Sequence, residues 1–292
     1  MLRYRKLSRV DLNVTHLARS RDFYAGLSGL DPILSATSAE AVSFHVGSDG
    51  AVLGLARASS PGLKRFAFEM QGEASLDALA ASLAHAGMKF SQSPHAIRMI
   101  DPHTSVAVDF HSEAFDAHCA TARPARAIAG FGHLVVCTPY YREAVAFWRE
   151  ILGFRLSDEI DGRISLLRCF PNPFHHSLGI ASGGRAMFHH LNFRADGGAA
   201  IEASAHALAE AGVEIASGPG THAPTGNRFI YFFDPDGLTL EISTATELFL
   251  EGSERPARIL PDRPESFAVG NTPRHERMFA VGEIQKASAE SG

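Results

Sequence analysis

The 292-residue sequence lacks the features of secreted, membrane-spanning and nucleic-acid-binding proteins. Its three cysteines are widely spaced and odd in number, which suits a reducing compartment better than a disulfide framework. No apolar run approaches the roughly 20 residues of a membrane span, and no apolar segment of a secretory signal follows the charged start. The net charge is −5 and there is no basic cluster, which argues against nucleic acid and anionic membranes as partners. We therefore expect a cytoplasmic globular protein.

Several common catalytic motifs are also missing. The sequence has no HExxH, CxxC, P-loop or nucleophile elbow, and the GFG at 130–132 lacks the third glycine of a dinucleotide-binding loop. Histidine, in contrast, is plentiful, with 15 residues, and it supplies most of the candidate site residues.

The chain repeats itself after about 125 residues. The run LAHAGMKFSQSP, ending at Pro94, returns as LAEAGVEIASGP, ending at Pro219, and Phe23 returns as Phe147. Each copy contains two units of a strand, a helix and about three strands, which predicts an α+β fold of tandem duplicated βαβββ modules, two modules in each domain. The predicted divisions are an N-terminal pair at 1–115, a linker at 116–129, a C-terminal pair at 130–245 and a tail at 246–292.

A hairpin is predicted near the end of the second copy, within GTHAPTGNRFIYFFDPDGLTLE at 220–241. Two strand-like runs flank the tetrad from Asp234 to Gly237, whose proline and glycine suit a type I turn. Strand alternation then puts Glu241 on the polar face of an otherwise apolar hairpin. From the hairpin alone, this carboxylate is either a solvated surface group or a ligand.

Two strands of the second copy carry histidines. FGHLVV places His133 on the first strand, and MFHHLNF places His189 and His190 on the strand that opens the second unit. Alternation predicts that His190 shares the polar interior face with Asn192, and that His189 shares the apolar face with Leu191.

His133, His190 and Glu241 can converge because they lie on corresponding strands of a duplicated fold. Two imidazoles and one carboxylate form the facial triad of non-haem Fe(II) oxygenases, which leaves coordination positions open. Burying these groups together without a cation would cost roughly several kcal/mol of desolvation free energy. The sequence therefore predicts a metal site in the second copy.

The first copy cannot repeat this site. Its corresponding positions are Asp11, Arg65 and Asp109, and a guanidinium does not bind a metal and would repel one. We predict that the N-terminal pair of modules has no metal site.

The run from 220 to 241 resembles the signature of the type I extradiol ring-cleavage dioxygenases, which are catechol 2,3-dioxygenase-like members of the vicinal oxygen chelate superfamily. All fixed elements of that signature are present, namely Gly220, His222, Ile230, Tyr231, Asp234, Pro235, Gly237 and Glu241. GHLVV, HHSLGI and FHHLNF also resemble the family, and the similarity covers roughly residues 7–245. It implies a glyoxalase-like fold in which the modules form a partly open β-barrel.

The resemblance implies an enzyme that inserts O2 into a catechol-type diol during the degradation of aromatic compounds. It implies iron ligands at His133, His190 and Glu241. Fe(II) is the expected metal, and Mn(II) is possible because the ligand types do not separate the two. The expected partners are therefore a small aromatic diol and O2, and we expect a homo-oligomer.

Other site residues are also implied by the resemblance. His176 would act as an acid–base group near the oxygen site, and His222 and Tyr231 would contact the substrate hydroxyls. The segment after His176 is about one residue shorter than in the family, so His175 remains an alternative. Pro224 stands where some relatives have asparagine, which argues against the biphenyl-diol subgroup.

Two other functions remain open at this point. A glyoxalase-like isomerase or lyase would also use the metal ligands, and a non-catalytic protein of the same fold could bind a small aromatic compound.

The tail from Glu247 onward is long enough to lie over the mouth of the site.

Overall fold

The protein contains four βαβββ modules in a computed structural model that describes residues 1–27, 30–113, 128–270 and 272–286. The first module consists of β1 (Tyr4–Val14), α1 (Leu17–Gly26), β2 (Leu30–Pro32), β3 (Ala41–Val46) and β4 (Ala51–Arg57). The second consists of β5 (Gly62–Met70), α2 (Glu73–His85), β6 (Phe90–Ser93), β7 (Ala96–Ile100) and β8 (Ala107–His111). The third consists of β9 (Ile128–Thr138), α3 (Tyr141–Ala146, followed by a π-helical turn at Phe147–Ile151), β10 (Arg155–Ile160), β11 (Ile164–Arg168) and β12 (Leu178–Ser182). The fourth consists of β13 (Met187–Ala195), α4 (Ala199–Glu210), β14 (Ile215–Thr221), β15 (Arg228–Phe233) and β16 (Thr239–Thr244), and the tail adds β17 (Arg258–Leu260) and β18 (Glu283–Ile284).

Modules pair into two mixed sheets of nine strands each. One sheet has the order β2-β3-β4-β1-β5-β8-β7-β6, with β18 added to β5, and the other has the order β14-β15-β16-β13-β9-β12-β11-β10-β17. The opening strands of two modules are antiparallel neighbours at the centre of each sheet, and the last strand of each module returns parallel to its opening strand. The predicted α+β fold of duplicated βαβββ modules is confirmed, and the sheets have the open ends of a partly open barrel.

The two halves share one apolar core. Leu76, Leu79 and Leu83 follow helical spacing along α2 and are buried, as expected for an amphipathic helix on a sheet. Trp148 lies on the π-helical turn after α3, is buried, and stacks on Phe66 of the first sheet, with ring centroids 5.9 Å apart. Aromatic burial of this kind joins the halves into one body.

Some predicted boundaries differ from the structure. β9 begins at Ile128, two residues before the predicted start of the C-terminal pair, because Ile128 already pairs with Ala195. Most of the predicted linker, residues 116–127, lies outside the described residues.

The tail packs against both sheets. Its first strand, β17, extends the second sheet beside β10, and its last, β18, joins β5 of the first sheet. Between them, the amide of Val269 donates to Thr221 O, and the amide of His275 donates to Ala216 O. The tail therefore lies along β14, next to the hairpin that carries the sequence signature. None of the helices in the described part of the chain is long and apolar enough to cross a membrane.

Candidate metal centre

Three neighbouring strands carry the predicted ligands. His133 lies on β9, His190 on β13 and Glu241 on β16, and these strands are adjacent in the order β16-β13-β9. Asn192 pairs with Glu241 across the parallel β13–β16 ladder. Glu241 therefore lies beside the part of β13 that carries His190, two residues before Asn192. The duplicated fold thus brings together three side chains that are far apart in sequence.

Three donor atoms form a nearly equilateral triangle. Nε2 of His133 lies 3.0 Å from Nε2 of His190, and Oε2 of Glu241 lies 3.3 Å from the first and 3.2 Å from the second. A cation with bonds of about 2.1 Å to three donors at right angles needs donor separations of about 3 Å. The spacing therefore fits a divalent metal held on one face, and all three side chains are buried.

Charge and protonation at this triangle also fit a cation. Burial acts to raise the pKa of Glu241, but the neighbouring imidazoles of His133, His190 and His222 outweigh it and hold the pKa well below its usual range. Burial lowers the pKa of His190 to about 4, so its ring is neutral. Oε2 of Glu241 is fully buried and has no hydrogen-bond partner among the described residues. A charged oxygen left in this state is what a bound cation would satisfy.

His189 was predicted on the apolar face of its strand, and this prediction is wrong. A β-bulge interrupts the pairing between Phe188 and His190, and the shifted register places His189 beside the cavity. Its Nδ1 lies 2.6 Å from Nδ1 of His190, and its ring stacks on Phe279 with centroids 3.5 Å apart. If Nδ1 of His190 donates in this bond, its Nε2 keeps a lone pair directed at the triangle.

The adjacent histidines in the β11–β12 loop have different surroundings. The His176 ring lines the cavity and lies against the His133 ring, with centroids 4.1 Å apart. His175 is fully buried behind it, with Nε2 2.9 Å from Oδ2 of Asp158. Burial, reinforced by the neighbouring His133 and His175, lowers the pKa of His176 well below its usual value. A neutral imidazole at His176 therefore faces the cavity.

His222 and Tyr231 form a pair next to Glu241. Nε2 of His222 lies 3.0 Å from Oε1 of Glu241, and its Nδ1 lies 3.2 Å from Phe267 O. Tyr231 is paired with Glu241 across the hairpin, and its hydroxyl lies 3.3 Å from Nε2 of His222. Burial, followed by the charge of Glu241, raises the pKa of Tyr231 well above its usual value, so the side chain is a phenol.

The corresponding place in the first copy is a salt-bridge cluster. Arg65 hydrogen-bonds Asp11, and its Nη1 lies 3.6 Å from Oδ2 of Asp109. Oδ1 of Asp109 also accepts a hydrogen bond of 2.6 Å from Arg98. The arginines neutralise the acids that face them, so this cluster offers no place for a metal ion.

A cavity of about 600 Å³ opens beside the triangle. Its polar side is formed by His133, His176, His190, His222 and Tyr231. Its apolar side is formed by Val135, Cys137, Ile164, Leu166 and Ala181. The tail forms another side with Phe267, Ala268, Arg274, Met278 and Phe279, and its predicted position over the mouth of the site stays a prediction.

Two residues at this site were missed by sequence reasoning. Asp158 could have been found, because it stands two residues before the buried Ile160 and so shares the buried face of β10 with it. Phe279 carried none, because the tail has no periodicity that predicts which of its side chains returns to the cavity.

Comparisons with known proteins support a relationship over most of the chain. The sequence profile of the Glyoxalase/Bleomycin resistance protein/Dioxygenase superfamily matches residues 6–99 and 130–242, which is more than half of the chain.

Curated relatives match over part of their length. The chain is 30% identical over 150 residues to metapyrocatechase 2 of Cupriavidus necator, which is 48% of this chain and 47% of that protein. It is 33% identical over 118 residues to a manganese-dependent 2,3-dihydroxybiphenyl 1,2-dioxygenase of Geobacillus genomosp. 3, which is 39% of this chain and 36% of that protein. The matches thus span about half or less of these relatives.

Solved structures match over nearly the whole chain. A Mn(II)-bound glyoxalase from Novosphingobium aromaticivorans has a TM-score of 0.86 and 23% identity, covering 99% of both chains. Homoprotocatechuate 2,3-dioxygenase from Arthrobacter globiformis has a TM-score of 0.82 and 19% identity, covering 96% of this chain and 92% of that one. At these identities the likeness concerns the fold.

Proposed function

The chain belongs to the Glyoxalase/Bleomycin resistance protein/Dioxygenase superfamily, and on that premise we propose that it is an extradiol dioxygenase. It inserts O2 into a catechol-type diol and opens the aromatic ring next to the hydroxyl groups. The observation that carries this proposal is the triangle of His133, His190 and Glu241 at the edge of a cavity. A metal held on one face by two imidazoles and one carboxylate keeps positions open for other ligands.

His133, His190 and Glu241 would hold the metal, which we propose is Fe(II). When bound, the metal supplies a Lewis acid and a template that gathers the diol and O2. Mn(II) is the alternative, because nitrogen and oxygen ligands of this kind do not separate the two metals. One curated relative is named as manganese-dependent, which supports Mn(II) as the alternative to Fe(II).

His222 and Tyr231 would orient the diol. The His222 ring is fixed by Phe267 O on one side and by stacking on Phe229, with centroids 4.0 Å apart. Tyr231 keeps its hydroxyl hydrogen, so it can donate to a substrate oxygen placed near Glu241. Together they provide polar contacts for the diol at the closed end of the site and select against a ring that lacks hydroxyl groups.

His176 would hold and move a proton during the reaction. Its Nδ1 lies 3.0 Å from Nδ1 of His175, so Nε2 is the nitrogen available to a molecule in the cavity. A neutral imidazole at this position can accept a proton and return it. Positioned acid–base groups contribute about 10²- to 10⁴-fold to rates.

The shape and polarity of the cavity suit an aromatic substrate. Its volume of about 600 Å³ falls within the usual range for small-molecule sites. The apolar side, which includes Val135, Ile164 and Leu166, would pack against the part of the ring away from the hydroxyl groups. The tail side chains limit entry of bulk water. A panel of substituted catechols, compared by kcat/KM, would identify the ring substituent that the cavity prefers.

The proposal is tested by oxygen uptake with catechols after loading Fe(II) without air. We expect oxygen consumption with a yellow ring-fission product from the wild type, and loss of both bound metal and activity in His190→Ala. The matched control is His206→Ala, which removes an exposed histidine on α4 and should retain both. Retention of metal and activity in the His190 variant would refute the proposed ligand set.

The same assay separates the other two functions. Bound metal without oxygen consumption favours a metal-dependent isomerase or lyase. A protein that binds the aromatic diol but no metal favours a non-catalytic binding role.

A further inference from the structure

A row of three buried side chains leads away from the cavity. His176 lines the cavity, His175 stands behind it, and Asp158 lies behind His175 on β10. Nδ1 of His176 lies 3.0 Å from Nδ1 of His175, and Nε2 of His175 lies 2.9 Å from Oδ2 of Asp158. Both distances are those of hydrogen bonds.

The direction of each hydrogen bond follows from Asp158. Burial acts to raise the pKa of Asp158, but hydrogen bonds from His175, Arg258 and Arg255 outweigh it, so the side chain is a carboxylate and can only accept. Nε2 of His175 must then carry the hydrogen. Burial lowers the pKa of His175, which leaves a neutral ring whose Nδ1 has a lone pair. That lone pair can only accept, so Nδ1 of His176 donates to it.

One competing contact is weaker. Nη2 of Arg255 lies 3.5 Å from Nε2 of His175, and a hydrogen bond there would reverse the whole row. The same Nη2 lies 2.7 Å from Oε2 of Glu247 and 3.1 Å from Oδ2 of Asp158, so its hydrogens already have charged acceptors. The carboxylate of Asp158, whose Oδ2 lies 2.9 Å from Nε2 of His175, therefore determines which nitrogen of His175 carries the hydrogen.

We propose that Asp158 and His175 are positioning residues that hold His176 in a single tautomer, with hydrogen on Nδ1 and a bare Nε2 lone pair facing the cavity. In that tautomer His176 meets a bound molecule first as a proton acceptor. Its alternative tautomer would present a hydrogen and would have to turn its ring before accepting a proton.

The tail fixes the far end of the row. Nη1 and Nη2 of Arg255 lie 3.0 and 3.1 Å from the two oxygens of Asp158, and Nε of Arg258 lies 2.9 Å from Oδ1. These charge-assisted hydrogen bonds hold the carboxylate in one orientation. The tail, which also lines the cavity, thus sets, through Asp158 and His175, which nitrogen of His176 carries hydrogen.

The tautomer can be read directly from the ¹⁵N chemical shifts of histidine in the full-length labelled protein. The spectra are recorded for the metal-free form and with zinc as a diamagnetic ion. We expect His176 in the Nδ1–H form and His175 in the Nε2–H form. His175→Phe removes the acceptor, so His176 should become a mixture of tautomers. His175→Asn is the matched rescue, since its amide oxygen stands near the place of Nδ1 and should restore the Nδ1–H form.

Kinetics provide the second readout. In His175→Phe, kcat should fall by about 10- to 100-fold, the effect usual for orienting partners, while metal content and KM for the diol stay unchanged. Arg258→Gln is the control for loosening of the tail, because Arg255 still holds Asp158, and it should keep the tautomer. If the phenylalanine variant does not fold, Asp158→Asn tests the same point through the tautomer of His175.

The inference is overturned if wild-type His176 carries its hydrogen on Nε2, or if its tautomer is the same in His175→Phe. The proposed role of His176 in turnover rests on the dioxygenase function, but its tautomer does not. A protein with the expected tautomers that consumes no oxygen would therefore refute the function and leave the positioning of His176 standing.

Discussion

Replacing Glu241 with glutamine should separate the metal site from the stability of the fold. The substitution keeps the size of the side chain and removes a fully buried negative charge whose Oε2 has no hydrogen-bond partner among the described residues. Without metal, burial disfavours this charge, but the imidazoles of His133, His190 and His222 outweigh burial and hold the pKa of Glu241 well below its usual range. A lowered pKa means that the charged form stabilises the fold at neutral pH, so we expect metal-free Glu241→Gln to melt below the wild type.

With metal the difference should widen. A ligand at about 100 times its Kd adds about 2.7 kcal/mol to the free energy of unfolding. For a chain of this size, about 1 kcal/mol shifts Tm by about 2 to 4 °C, so Fe(II) or Mn(II) should raise the wild-type Tm by about 5 to 10 °C. The glutamine variant lacks the charged ligand and should show little of this shift.

The assay is thermal unfolding without air, with and without metal and a chelator. Asp109→Asn is a matched control, since Asp109 occupies the corresponding position of the first copy, paired with Ala67 as Glu241 is paired with Asn192. It leaves Arg98 without its partner, so it should lower the metal-free Tm and keep the full metal shift. A glutamine variant at 241 that keeps the wild-type metal shift would refute the reasoning.

Three further predictions concern the surroundings of the metal site. His176→Phe should retain metal, measured by elemental analysis, while kcat falls by about 10²- to 10⁴-fold; an unchanged kcat would contradict the acid–base role. The depressed pKa of Asp158 contributes stability above its unfolded-state pKa of about 3.9 and loses it as pH falls toward the folded-state value. The difference in unfolding free energy between wild type and Asp158→Asn should therefore shrink below about pH 4 in denaturant titrations; a difference independent of pH would argue against the paired carboxylate. Phe279→Ala removes the ring stacked on His189 and one side of the cavity, so it should raise KM for the diol more than it lowers metal content; an unaltered KM would remove the tail from substrate binding.

The fold could be predicted because duplication left the same sequence pattern twice. The return of Phe23 as Phe147, and of one Pro-terminated helix and strand as another, predicts equivalent modules, and equivalent strands meet at the centre of a sheet. Duplication therefore predicts that His133 and His190 lie on corresponding strands and can converge, and these strands are neighbours in the sheet.

Local details of the site were less predictable. Alternation along a strand assigned His189 to the wrong face, because a β-bulge is a local change of register that the residue pattern does not reveal. Sequence reasoning left His175 and His176 as alternatives, since the direction of a side chain in a loop depends on its partners. The partner that distinguishes them, Asp158, lies on another strand. Assembly into several copies stays a prediction.

Diffraction from crystals loaded with Fe(II) under reducing conditions would test the central claim most directly, through anomalous scattering at the iron edge. The account predicts one peak about 2.1 Å from Nε2 of His133, Nε2 of His190 and Oε2 of Glu241. A peak bound by other side chains, or no peak between these three in protein that cleaves catechols, would contradict it.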